Sequence, residues 1–362
     1  MRYVQNVKIC FIGYFPDILH ANDWQAALTV IYLKRKYSLD PRFADIKTVY
    51  TIHNIDYQGW FDFALLGDVF DLPYEAAQTV DFDGCINLTK GAVVCCDRLT
   101  TVSERYAGEL RSPYFSGRLA AIINENAYKS RGIVNGIDTA YYCPATDPDI
   151  RANYSADDMS GKQVDKTELQ RMFGLPEAPT TPIIAMVSRL ASHKGFDLVR
   201  CVIEEILQED VQFVLLGTGE EELEAYFGEL AKRYPSKVGV VLAFNKALSK
   251  QIYAGADIFL MPSKSEPCGL SQMIASAYGT VPVVREIGGL YDTIKPYNPE
   301  TGEGNGFTFV SYNAHDMMDA VRRAIALYGD SASWEKLRDN AIRHDFSWDA
   351  SAAGYFRMYD EM

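Results

Sequence analysis

The segment PSKSEPCGLS (262–271) places an acid, Glu266, between turn-forming residues. An apolar run at 256–261 precedes it and reads as a buried strand. A helical run at 272–278, closed by Gly279, follows. Strand, turn and helix with an acid at the helix entry is a place to hold a ligand. Backbone N–H groups at a helix start attract phosphate. A carboxylate at the same spot needs another partner, such as sugar hydroxyls. The segment therefore suggests a ligand that is both phosphate and sugar.

Cations come from another loop. After the apolar run 183–188 the chain reads RLASHKG, with Arg189 and Lys194 at what becomes the mouth of a sheet. A diphosphate leaving group needs such a clamp, the arginine as a planar fork and the lysine as a point charge. On spacing alone, a clamp and a pair of solvated charges both stand. Gly217 and Gly219 end the next strand, and Gly288 and Gly289 follow the strand at 281–284. Glycines there let backbone approach a nucleotide or present N–H groups to phosphate, although each pair alone also fits a plain turn. In the first half, HANDWQ (20–25) follows a short strand at 18–19, and TIHN (51–54) ends the next. His53 and Asp23 at strand ends suit acid/base work or sugar binding. A helix-capping Asp23 and a hydrogen-bonded core His53 are the competing readings. No His/Cys cluster has metal-ligand spacing.

The elements that must position these residues alternate. After a proline-rich stretch at 176–182, strands are expected at 183–188, 211–216, 238–244, 258–261 and 281–284, with helices at 196–207, 220–232, 248–254 and 272–278. That rhythm means βαβ units, a parallel sheet and a doubly wound domain with its ligand edge at the strand C-termini. In the first half, helices are expected at 24–37 and 86–96 and strands at 46–52 and 98–103. The boundary is expected near residue 175. Trp334 and Trp348 read as packing anchors in the helical C-terminal stretch.

Composition limits the partners. A chain of 362 residues with 48% hydrophobic content supports about two domains with sizeable cores. A net charge of −13 argues against nucleic acid or an anionic membrane, because phosphate backbones select basic faces. The 7 cysteines read as reduced cytosolic thiols, all but Cys268 as small core residues. No apolar run is long enough for a membrane span. The apolar stretch at 7–15 lacks a small-residue cleavage site and reads as a core element.

HANDWQAAL (20–28), TIHNIDYQG (51–59), TTVSERYA (100–107), VNGID (134–138), VSRLASHKG (187–195), LLGTGE (215–220), PSKSEPCGLSQ (262–272), GTVPVVREIGGLYDT (279–293), NGF (305–307) and DFSW (345–348) occur in that order. Together they resemble the glycogen synthase and bacterial or plastid starch synthase family. The resemblance implies an α/β GT-B fold of two doubly wound, Rossmann-like domains: 1–175 acceptor-side, 176–344 donor-binding, and 345–362 a helix returning to the first. It implies a cytoplasmic enzyme, without cofactor or metal, that transfers glucose from ADP-glucose to the 4-OH of an α-1,4-glucan with retention. Arg189 and Lys194 would hold the diphosphate, and Glu266 the sugar hydroxyls. Cys268, Gly269, Leu270 and Ser271 would meet glucose and phosphates largely through backbone, with Gly217, Gly288 and Gly289 beside them. Phe244 would lie against adenine, His53 and Asn54 would face the glucosyl unit, Asp23 would lie at the reaction centre and Asn135 would orient a hydroxyl.

The sequence departs from that family in two places. A lysine-glycine-glycine loop expected on the first sheet does not occur, so the N-terminal domain reads as truncated and the chain alone as weakly active or inactive. Residues 112–131 depart from the acceptor-side loop beyond PYF (113–115). The second carboxylate that many GT-B enzymes carry is Ile274 here, as this family allows. A UDP-glucose-dependent relative and a non-catalytic glucan or nucleotide-sugar binder are the alternatives.

Overall fold

The computed structural model describes residues 16–362. The core element expected at 7–15, and Cys10, lie outside the described residues. The chain divides into two compact units: residues up to Val134 with Ala353–Met362, and Asn135–Ala352. The division thus falls ahead of the boundary expected near 175, and the chain returns to the first unit at Ala353 rather than near 345. Buried polar links explain the first difference. Lys162 donates to the carbonyls of Ala254 (2.8 Å) and Tyr278 (3.0 Å) and to Thr280 Oγ1 (2.8 Å), and Asp147 pairs with Lys250 at 3.0 Å. Burial pushes the Lys162 amine down to about 7. Residues ahead of the prolines are therefore pinned into the second unit, because breaking such buried links is costly.

The second unit is built on a six-stranded, all-parallel sheet. Its spatial order is Val238–Val241, Gln212–Leu216, Ile183–Val187, Ile258–Met261, Val281–Arg285, Phe307–Phe309. The chain first builds outward from Ile183–Val187 in one direction and then restarts beside it with Ile258–Met261. The order reverses between these two strands, and ligands of open α/β sheets bind in the crevice outside the strand C-termini at such a point. The strands are apolar along their length because both faces are covered; every residue of Gln212–Leu216 is buried. The helix Phe196–Ile206 shows why the cover forms: Phe196, Val199, Val202, Ile203 and Ile206 recur at helical spacing and all are buried. The strand expected at 238–244 stops at Val241, and the chain turns into a helix capped by Asn245, whose Oδ1 accepts the Leu248 N–H. Phe307–Phe309, not foreseen as a strand, closes the sheet.

The first unit has a parallel sheet in the order Ile18–Asn22, Lys47–Ile52, Arg98–Thr101, Ser130–Gly132. Ile18–Asn22 forms one edge among the described residues. Helices Asp23–Arg35 and Leu88–Cys95 pack in a core with Ile31, Tyr50, Ile86, Val93 and Tyr106. The helix expected at 86–96 is shorter at its start. Cys85–Asn87 pairs antiparallel with Trp60–Asp62 and Asp81–Phe82, and the Asn87 side chain caps the helix by accepting the Lys90 N–H.

Other expectations need correction. Every described cysteine is a free thiol, but only Cys95, Cys96 and Cys268 are buried; Cys85 and Cys143 are half-buried and Cys201 is exposed. Cys201 sits on the outer face of its helix, between the buried positions Val199 and Val202. Trp334 is a buried anchor, whereas Trp348 is 48% exposed at the start of the last helix. Among the described residues no helix is long and apolar enough to cross a membrane.

Candidate active site

The loops after the two strands flanking the reversal carry the charges. Lys194 Nζ lies 2.6 Å from Glu266 Oε2. The Ser263 hydroxyl donates to the same oxygen at 3.0 Å. Both hydrogen bonds to the carboxylate converge on Oε2; among the described residues none is made to Oε1. A residue-level exposure of 8% leaves Glu266 nearly desolvated, and a carboxylate so placed needs its cation. The pair therefore offers a fixed ammonium with hydrogens to spare and one acceptor oxygen for a ligand. Arg189 is exposed, and its guanidinium makes no ion pair or hydrogen bond among the described residues.

Backbone bonds lace these loops into one surface. Lys264 N–H donates to His193 O at 2.9 Å, Leu190 N–H to Thr218 O at 3.0 Å, and Glu220 N–H to Leu190 O at 2.7 Å. The glycines expected to face a ligand make this lacing possible. A Cβ on Gly217 would stand 1.9 Å from Ser188 O, and on Gly289 2.1 Å from Cys268 O. Gly289 N–H itself donates to the carbonyls of Glu266 and Pro267, each at 3.2 Å. Both glycines thus serve loop-on-loop approach, and Gly289 ties down the main chain at Glu266.

Within the 262–271 segment, Gly269 takes a φ of +72°, a left-handed conformation that favours glycine. Cys268 is buried, and burial pushes its thiol up to about 12, so it stays protonated at neutral pH. Leu270 is 46% exposed, and Ser271 opens the helix Ser271–Ala277 with no side-chain cap on its first turn. Ile274 is buried, so nothing carboxylate-like stands at the second position. Asn135 carries a buried Oδ1 with no partner among the described residues. Gly288 is buried, and Phe244 stands 81% exposed beyond Val241.

In the first unit, Asp23 and His53 meet at adjacent strand ends. Asp23 has a φ of +57°, and its Oδ1 accepts the His53 N–H at 2.8 Å. The carboxylate thus joins two strand ends instead of capping its helix. A left-handed non-glycine residue costs about 1–3 kcal/mol, and Asp tolerates the region better than most. His53 Nε2 contacts Asn22 Oδ1 at 2.9 Å, and Asn54 Oδ1 accepts the Asp56 N–H at 3.0 Å. The histidine held by two side-chain contacts is the half-buried His20. Its Nδ1 contacts Tyr359 OH at 2.7 Å and its Nε2 Thr51 Oγ1 at 2.6 Å. Burial first, then the like charge of His53, lowers its pKa to about 4. Sequence reasoning missed Ser263, Asn22 and the glycine lacing; the last is invisible without the neighbouring loop.

An α/β architecture of two parallel-sheet units, with a lysine–carboxylate pair at the reversal of the second, is that of a GT-B-type glycosyltransferase. Residues 2–125 match the starch synthase catalytic domain family and residues 168–344 the glycosyl transferases group 1 family. Glycogen synthase of Bacillus cereus (strain Q1) is 48% identical over 348 residues, covering 96% of this chain and 73% of the relative. That of Geobacillus thermodenitrificans is 45% identical over 353 residues, 97% of this chain and 73% of the relative. The catalytic domain of starch synthase IV from Arabidopsis thaliana, solved with ADP and acarbose, superposes with a TM-score of 0.89 at 33% identity, covering 99% of this chain and 75% of that one. Sucrose-phosphate synthase from Thermosynechococcus elongatus, at 18% identity and a TM-score of 0.62, shares the fold. The chain belongs to the glycogen synthase family.

Proposed function

We propose that this chain binds ADP-glucose on the Asn135–Ala352 unit and transfers its glucosyl group to the 4-OH of an α-1,4-glucan with retention. The single observation that carries this reading is the Lys194–Glu266 pair on the loops flanking the reversal of the second sheet. Glu266 takes sugar hydroxyls on its open Oε1, and Lys194, fixed by Oε2, stands against the diphosphate with Arg189 as the second cation. The bond between the anomeric carbon and the phosphate oxygen breaks as the glucan oxygen bonds to that carbon. Charge grows on the departing phosphate, where fixed cations act most strongly. The acceptor proton passes to that phosphate, so no side-chain base is required. The backbone of 268–271 lines the glucosyl and phosphate positions, Phe244 offers its exposed ring to the base, and Asn135 orients a hydroxyl. Asp23, His53 and Asn54 are the sugar-binding candidates of the first unit, where they gather at neighbouring strand ends. The reading places the enzyme in the cytoplasm.

Incorporation of labelled glucose into glycogen, with ADP-glucose and UDP-glucose in competition, tests the reading. Transfer favouring ADP-glucose is expected. Preference for UDP-glucose would overturn the donor assignment, and tight glucan binding without transfer from either donor would overturn the enzymatic reading.

A further inference from the structure

We infer that Gln272, acting through Thr293, is a positioning residue for the donor loop; this rests on the donor site proposed above. Gln272 is 0% exposed in the helix Ser271–Ala277, whose only other polar residues are Ser271 and Ser276. A buried amide is retained only where its hydrogen bonds are made. Its Nε2 has two hydrogens and three acceptors in reach, Gly269 O at 2.9 Å, Cys268 O at 3.2 Å and Thr293 Oγ1 at 3.1 Å, so one hydrogen is shared. A threonine hydroxyl has one hydrogen to donate, and Thr293 gives it to Gly289 O at 2.6 Å. Gly289 N–H then returns to the carbonyls of Glu266 and Pro267. The circuit runs from one amide to the main-chain carbonyls of Glu266 and of the three residues that follow it. Asn305 Nδ2 anchors its far end by donating to Thr293 O at 3.0 Å.

Only the NH2 end of the amide is used. Gln272 Oε1 is buried with no partner among the described residues, and a Cβ on Gly269 would stand 2.6 Å from it. The circuit therefore needs a donor at this position, and a carboxylate would set charge against three oxygens. Neither Gln272 nor Thr293 is assigned a contact with substrate; both act through the loop they hold.

The test measures dissociation constants for ADP-glucose, without acceptor, and for glycogen, together with the unfolding midpoint. It compares the full chain with Gln272→Met and the near-isosteric Thr293→Val, using Lys194→Ala as reference. Both circuit variants are expected to weaken ADP-glucose binding about fivefold or more while glycogen binding stays within about twofold. The double variant should fall short of the product of the single effects, because residues of one network are not additive. Wild-type donor affinity in both variants, with Lys194→Ala impaired, would overturn the inference and leave the donor site standing. Weakening of both ligands in proportion to a fall in midpoint would overturn it too, since that marks a merely structural role. Unchanged donor affinity in Lys194→Ala would instead overturn the site reading. Should Gln272→Met fail to fold, Thr293→Val decides alone.

Discussion

In the Asn135–Ala352 unit, Lys194 and Glu266 reach each other from long loops, whereas in the first unit Asp23 and His53 stand directly on the ends of paired strands. The loops are rigid only because they brace one another: glycines without a Cβ, main-chain bonds from loop to loop, and a buried amide beneath. The strand ends need no such support, since the ladder from Ile18–Asn22 to Lys47–Ile52 fixes them. They rely instead on one strained residue, Asp23, and one contact to a neighbouring N–H. Precision is thus collective in one region and local in the other, and substitutions should show it.

The largest effect is expected at the charges of the second unit. Lys194→Ala should slow transfer at least tenfold, about 1.4 kcal/mol in the barrier. A rate equal to wild type in steady-state assays would remove Lys194 from the clamp. Next come the glycines that let loops touch. Gly289→Ala forces a methyl against Cys268 O and should cost about 1–3 kcal/mol of stability, read by urea denaturation; a neutral result would show that the loops are not interlocked. On the other side of the comparison, Asp23→Ala should cost about 1–2 kcal/mol, through lost hydrogen bonding and a left-handed site that Ala tolerates poorly. Asp23→Asn, which keeps both features, should cost less, and equal losses would refute the local account.

The smallest effect is one of pH. The His20 imidazole titrates near 6.5 in the unfolded chain and near 4 in the fold. Its contribution is therefore complete above pH 6.5 and is lost as pH falls toward 4, where unfolding takes up a proton. Discounted for partial exposure, about 1–2 kcal/mol is at stake. His20→Gln should flatten the stability profile between pH 6.5 and 4, and an unchanged slope would show that the imidazole is not the group responsible.

The sequence was most legible where patterns are local. The apolar runs at 258–261 and 183–187 announced the strands of the reversal, and the Glu266, Arg189 and Lys194 loops fell at their ends. The pairing of Lys194 with Glu266 was not legible, because it depends on which strands lie side by side. The glycines of 217 and 289 were noticed for a ligand, yet they are shaped by the neighbouring loop. Asp147 and Lys250 carried no local sign that they would bind residues 135–175 to the second unit. Gln272 did leave a sign, an amide at the start of a mostly apolar helical run. Trp348 misled because aromatic content alone does not reveal which face of a helix is covered.

Titration of ADP into the wild-type chain, Lys194→Ala and His53→Ala tests the central claim most directly, because nucleotide binding requires no turnover. The account predicts that Lys194→Ala weakens ADP at least tenfold while His53→Ala binds it as the wild type does. Equal affinity in the wild type and Lys194→Ala would contradict a donor diphosphate held at the reversal of the second sheet.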